Sequence, residues 1–103
     1  DNKVHAATLA WGREKAKKWL AILDEHIIGP KNRFVCGDQL TLADYFGSSM
    51  ITLGEVIRLN YSSYANITRW LGNMKALPQW AETQEPFYTY FVAPFKDKAF
   101  ERF

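Results

Sequence analysis

The twelve residues Val35-Cys36-Gly37-Asp38-Gln39-Leu40-Thr41-Leu42-Ala43-Asp44-Tyr45-Phe46 constrain this chain more than any other stretch. They read as a sharply defined helix start. Thr41 suits the N-cap, its hydroxyl accepting from the backbone N–H of Asp44. Asp44 in turn reaches back to the N–H of Thr41, which makes a capping box with Asp in place of the commoner Glu. Leu40 before the cap and Tyr45 after it are placed to close a hydrophobic staple. Gly37-Asp38 supplies a tight turn just upstream. The helix that follows is the most apolar in the chain, so the others are expected to pack around it. As a pure cap, Thr41→Ala or Asp44→Ala would cost about 0.5–2 kcal/mol.

Bulk properties fit one folded domain. The 103 residues suffice for a single core without staples. With 48% hydrophobic and 23% charged residues, the chain is not of the disordered class. Net charge is only +2, with acids and bases interleaved, which gives no electrostatic case for nucleic acid or an anionic membrane. Cys36 is the lone cysteine, so no internal disulfide exists, and a reducing, cytoplasmic setting is expected. No apolar run approaches the ~20 residues that span a bilayer, and no signal or transit peptide is visible.

In chain order, Asp1 to about His5 reads as a linker. A helix follows from Ala6 to Ile28, with Leu9, Ala16, Leu20, Leu23 and Ile27 on one face and Trp11, Trp19 and Ile22 widening it. Glu14 and Lys18 suit an i,i+4 ion pair. Gly29-Pro30 ends the helix. Lys31 to Gln39 is a loop anchored by Phe34 and Val35. The central helix is expected over Leu42–Leu59, with Leu42, Phe46, Ser49, Leu53 and Ile57 on one face. Gly47 and Gly54, each costing about 1 kcal/mol against Ala in a helix, point to close approach of a neighbour, or else to a ligand cleft. Asn60 to Ser63 is a turn. A third helix runs from Ala65 to Ala76 with Ile67, Trp70, Leu71 and Met74 inward. Pro78 opens a short fourth helix carrying Trp80 and Ala81, and Glu85-Pro86 breaks it. The aromatic tail Phe87–Phe103, which Pro94 keeps from being one long helix, is a strap over the bundle or a flap over an apolar pocket.

The stretch FVCGDQLTLADYF (Phe34–Phe46) resembles the loop and central helix of the helical C-terminal domain of cytosolic glutathione transferases. Its small residue, Gly-Asp, hydrophobic residue and Thr-x-Ala-Asp match that family's pattern. A second stretch, YANITRWLGNMKALPQWAE (Tyr64–Glu82), resembles the family's Arg-Trp…Leu-Pro-x-Trp segment, with Ala65 where many members carry Pro. The two cover about half the chain in the family's order and spacing. The resemblance implies an all-α bundle of about four helices plus a C-terminal tail. Residues 1–103 would be one helical domain, the later part of a glutathione transferase C-terminal domain.

The resemblance also implies that glutathione, the co-substrate, binds a separate N-terminal thioredoxin-like domain, absent here. That domain supplies the Tyr, Ser or Cys that stabilises the thiolate. The helical domain lends walls to the hydrophobic co-substrate pocket and part of a homodimer interface. This segment would therefore hold no catalytic residue or cofactor and be inactive alone, its parent conjugating glutathione to hydrophobic electrophiles. Two alternatives stay open: a non-enzymatic interaction module of the same fold, as in elongation-factor subunits and synthetases, or a regulator that lacks the thiol-activating residue.

The residues themselves agree that little chemistry is present. His5 and His26 lack a second ligand at metal spacing. No Gly-rich phosphate loop or Ser-His-Asp context appears. Asp44 reads as a capping acceptor, and Cys36 as a small packed or half-buried thiol without a cation or helix N-terminus beside it in sequence to lower its pKa. Arg13, Lys15, Lys17 and Lys18 form a basic cluster, read as a solvated helix face and not as a nucleic-acid patch.

Overall fold

The computed structural model describes residues 1–100 and is all-α. Helix α1 spans Asn2–Ile22 and widens into a π turn over Leu23–Ile28. Helix α2 spans Leu42–Ile51 and tightens into a 3-10 turn over Thr52–Ile57. Helix α3 covers Ala65–Lys75 and α4 covers Trp80–Phe87. A π turn at Tyr88–Val92 and a 3-10 turn at Ala93–Phe95 finish the tail, and Phe103 lies outside the described residues. Among the described residues there is no strand, only a bridge in the loop where Phe34 and Gly37 exchange N–H···O bonds of 2.7 and 3.2 Å. Gly37 sits at φ 115°, a conformation that side chains rarely adopt.

Several boundaries differ from the sequence reading, each for a local reason. Asp1 is no linker: its carboxylate accepts from the N–H of Lys3 at 2.8 Å and starts α1 four residues early. Pro86 does not end α4 but sits inside it. The turn that follows is an i→i+5 one, the kind of irregularity a missing N–H provokes. Pro78 lies in the turn before α4, where the Trp80 N–H donates to the Leu77 carbonyl at 3.0 Å.

The central helix is shorter than expected because Tyr61 intervenes. Its hydroxyl donates to the carbonyl of Ile51, the acceptor that the N–H of Glu55 would use in a continued α-helix. The ring comes so close that a β-carbon at Gly54 would overlap its hydroxyl. At Gly47 the neighbour is the Trp70 ring, 3.4 Å from where a β-carbon would lie. Both glycines thus accommodate close approach, and neither opens a ligand cleft. Arg58 closes the segment in the left-handed region, at φ 54° and ψ 43°. Its guanidinium donates to the carbonyls of Lys96 and Lys98 and lies over the Phe100 ring, tying the tail down as a strap.

The hub is α3, not α2. Ile67, Trp70, Leu71 and Met74 are buried and join Leu20, Ile28, Phe34 and Trp80 in one core. Much of the α2 face expected inside lies in solvent, with Leu42 79%, Phe46 70% and Leu53 50% exposed, and Met50 beside it is 52% exposed. Its buried face is instead Asp44, Ser48 and Thr52, spaced four apart on one side of the helix. Such small polar groups can be buried because the two hydroxyls bond back to their own helix. Ser48 donates to the Tyr45 carbonyl at 3.3 Å and Thr52 to the Ser49 carbonyl at 3.1 Å. Helix α1 also departs from expectation. Only Leu20 is buried along its length, while Leu9, Trp11 and Trp19 are exposed.

The two glycines separate in a urea titration. Gly54→Ala is expected to cost about 1–3 kcal/mol by forcing Tyr61 aside. Gly47→Ala should stay within about 1 kcal/mol of wild type, since the helix preference for Ala offsets a tighter contact with Trp70.

Candidate functional site

The polar centre of the molecule is the Asp44 carboxylate, buried completely. One oxygen accepts from the Val35 N–H at 2.8 Å and from Trp70 Nε1 at 2.9 Å. The other accepts from the Thr41 N–H at 2.9 Å and the Thr41 hydroxyl at 3.3 Å. The Thr41 side chain faces the Asp44 N–H, which donates to the Thr41 carbonyl at 3.0 Å. A single side chain therefore joins the loop, the first turn of α2 and the middle of α3. Burial by itself would raise the Asp44 pKa. The donors from Val35, Thr41 and Trp70 outweigh it and hold the carboxyl below its ordinary value. An ionised acid so fully engaged is an anchor and has no lone pair spare for a substrate proton.

Leu40 packs against the core, whereas Tyr45 is half exposed. Tyr45 lines a surface cleft of about 290 Å³ with Ser49, Leu77, Pro78, Trp80 and Thr83. Its walls are neutral, and the Ser49 hydroxyl is already committed to the Tyr45 carbonyl at 2.8 Å.

A second polar node was missed in the sequence. Asp24 is buried at the end of α1, and its carboxylate accepts from the Ile67 N–H at 2.8 Å. It caps α3 from a distant helix, while its backbone carbonyl takes Asn66 Nδ2 at 2.9 Å. Arg69 then clasps the loop, donating to the carbonyls of Gly29 and Asn32 at 2.7 Å each. The signal was available: Leu20, Asp24 and Ile28 recur every four residues on one face, so an acid there must be buried and needs donors.

A third group lies under the tail. Glu55 pairs with Lys75. Burial first, and the Glu55 charge second, push the Tyr61 phenol up to about 12. The Tyr88 phenol is raised too, by burial and then by Glu55.

His5, His26 and Cys36 are all exposed. Cys36 Sγ accepts from the Thr41 hydroxyl at 3.7 Å. Among the described residues no three His, Cys, Asp or Glu side chains gather where a metal could sit, and no helix is long and apolar enough to cross a membrane.

Residues 4–78 match the family model "Glutathione S-transferase, C-terminal domain". This chain belongs to that family. No solved structure matches it at a significant level. Within a glutathione S-transferase C-terminal domain, the Thr41–Asp44 turn now has a physical role beyond capping. It pins the loop, α2 and the Trp70 indole of the hub helix to one charge. Trp70 was legible only as core, although a buried indole N–H always needs an acceptor.

Asp44→Ala should cost about 3 kcal/mol or more, above a lost cap, because it strands the buried donors of Val35 and Trp70. Trp70→Phe should cost about 1–3 kcal/mol, and the double mutant should fall well short of the sum in a denaturant cycle. The pH dependence has a definite sign. The folded pKa of Asp44 lies below its unfolded one, so its stabilisation is complete above the ordinary carboxylate value and is lost as pH falls through the depressed one. Urea midpoints followed into acid should show a loss that Asp44→Asn removes.

Proposed function

We propose that this chain is the later part of a glutathione transferase, one helical domain over residues 1–103, whose full-length parent joins glutathione to hydrophobic electrophiles. The observation that carries the reading is the outer face of α2. Leu42, Phe46, Met50 and Leu53 form an apolar, uncharged surface on a helix that buries Asp44, Ser48 and Thr52 on its other side. An exposed patch of this kind suits cover by another domain or a hydrophobic ligand. In this reading it seats the N-terminal thioredoxin-like domain and contributes to the wall of the co-substrate pocket. Thiol activation then belongs to that other domain, with glutathione as its co-substrate, and the whole works as a cytoplasmic homodimer. The single exposed Cys36 suits a reducing compartment.

The test compares the isolated chain with its parent in an assay of glutathione and a chlorodinitrobenzene. The isolated chain should give no rate above the uncatalysed reaction, and the parent a clear one. Leu42→Asp with Phe46→Asp in the parent should lower that activity about tenfold or more and uncouple the two domains in a melting curve. An inactive parent whose charged variant instead loses a protein partner would assign the fold to an interaction module.

A further inference from the structure

Helix α2 gives way at Ile51 to the 3-10 turn Thr52–Ile57, and the tail turns at Tyr88–Val92 and Ala93–Phe95 both lie against that turn. The turn ends in a paired stop. The Leu59 N–H donates to the Gly54 carbonyl at 2.9 Å and the Arg58 N–H to the Glu55 carbonyl at 3.1 Å, a pattern that glycine usually closes. Arg58 takes the glycine's place, the one non-glycine residue at positive φ among the described residues. Glycine would adopt that conformation without steric cost, but it has no side chain to reach the tail. The Arg58 guanidinium does reach it, at the carbonyls of Lys96 and Lys98. Glu55, three residues earlier, stands on the same side of a 3-10 turn. It pairs with Lys75 and lies close enough to Tyr61 and Tyr88 to raise both phenols. The tail holds on by little else. Its turns bury no side chain, and Tyr90 and Phe91 are exposed. An element with so few buried contacts opens ahead of the core.

A second arrangement of the turn is already provided for. The Ile51 carbonyl that receives the Tyr61 hydroxyl is the acceptor that the Glu55 N–H takes in an α-helix. Thr52 to Ile57 contain no proline to forbid that bond. We propose that the tail is a releasable strap that sets the length of α2. Docked, with Arg58 on the Lys96 and Lys98 carbonyls and Tyr88 beside Glu55, it holds Thr52–Ile57 as a 3-10 turn with Tyr61 on the Ile51 carbonyl. Undocked, Tyr61 leaves that carbonyl, the Glu55 N–H takes it, and α2 runs on to the stop at Arg58. A 3-10 turn closes in about three residues and an α turn in about 3.6, so Leu53 then rotates relative to Phe46. The strap thereby reshapes the apolar outer face of α2, whatever covers that face. The effect is reciprocal: a group that seats on the outer face and favours one form of the turn also favours one state of the strap.

Two variants of the intact protein approach the switch from opposite ends. Arg58→Gly keeps the helix stop and lets go of the tail. Tyr61→Phe keeps the ring and frees the Ile51 carbonyl. Trypsin cleavage after Lys96 and Lys98 reads the strap, and backbone carbon-13 shifts of Thr52–Ile57 read the turn. Each variant should speed cleavage about tenfold and move those shifts to α-helical values, while the shifts of Ile67–Met74 stay as in the wild type. Fast cleavage in Arg58→Gly with the turn still 3-10 would make the tail a passive appendage and overturn the proposal. So would an α-helical turn in Tyr61→Phe with cleavage at the wild-type rate, or wild-type cleavage in Arg58→Gly. If Tyr61→Phe does not fold, Arg58→Gly decides alone, since it touches only the stop and the grip.

Discussion

One carboxylate holds the centre of this fold. Asp44 sits where water does not reach and is surrounded by donors from the loop at Val35, the helix start at Thr41 and the indole of Trp70. A buried charge without such company would be strongly destabilising. With it, the loop, the start of α2 and the middle of α3 acquire a fixed relative position. The Trp70 ring, held by its N–H, then lies against Gly47, so α2 and α3 meet where one helix has no side chain. The close contact depends on the glycine and its orientation on the acid.

The same device recurs at the start of α3. Asp24 caps that helix from α1, and Arg69 answers by gripping the loop carbonyls beyond it. The hub helix is thus tethered at its start and along its length by polar bonds, while Ile67, Leu71 and Met74 fill the apolar core. Polar groups place the elements and apolar groups supply most of the burial. The tail follows a weaker logic. Its turns bury no side chain, and it is held by the carbonyls that Arg58 grips and by contacts near Glu55.

The pattern of residues made some of this legible and hid the rest. Ile67, Trp70, Leu71 and Met74 could be read as a buried face because they follow helical spacing among polar neighbours. The all-α architecture and the family were legible from two ordered motifs. The orientation of α2 was not, since every side of that helix is apolar or small and periodicity has nothing to distinguish. Polar atoms decided it: Ser48 and Thr52 satisfy themselves inside, and Leu42 and Phe46 are left outside. Trp11 and Trp19 were assigned to the core by their chemistry alone, although their spacing with Lys15 and Lys18 already set them apart from Leu20. The end of α2 at Ile51 depends on a tyrosine ten residues away, which no local propensity encodes.

Helix α1 has a further consequence for how the molecule breathes. It is about 31 Å long by its 21 residues, and nothing before Leu20 is buried. The first four turns therefore gain less from the core to resist fraying than α3 does. Their amide protons are expected to exchange with solvent sooner than those of α3, whose Ile67, Trp70, Leu71 and Met74 are buried in the core.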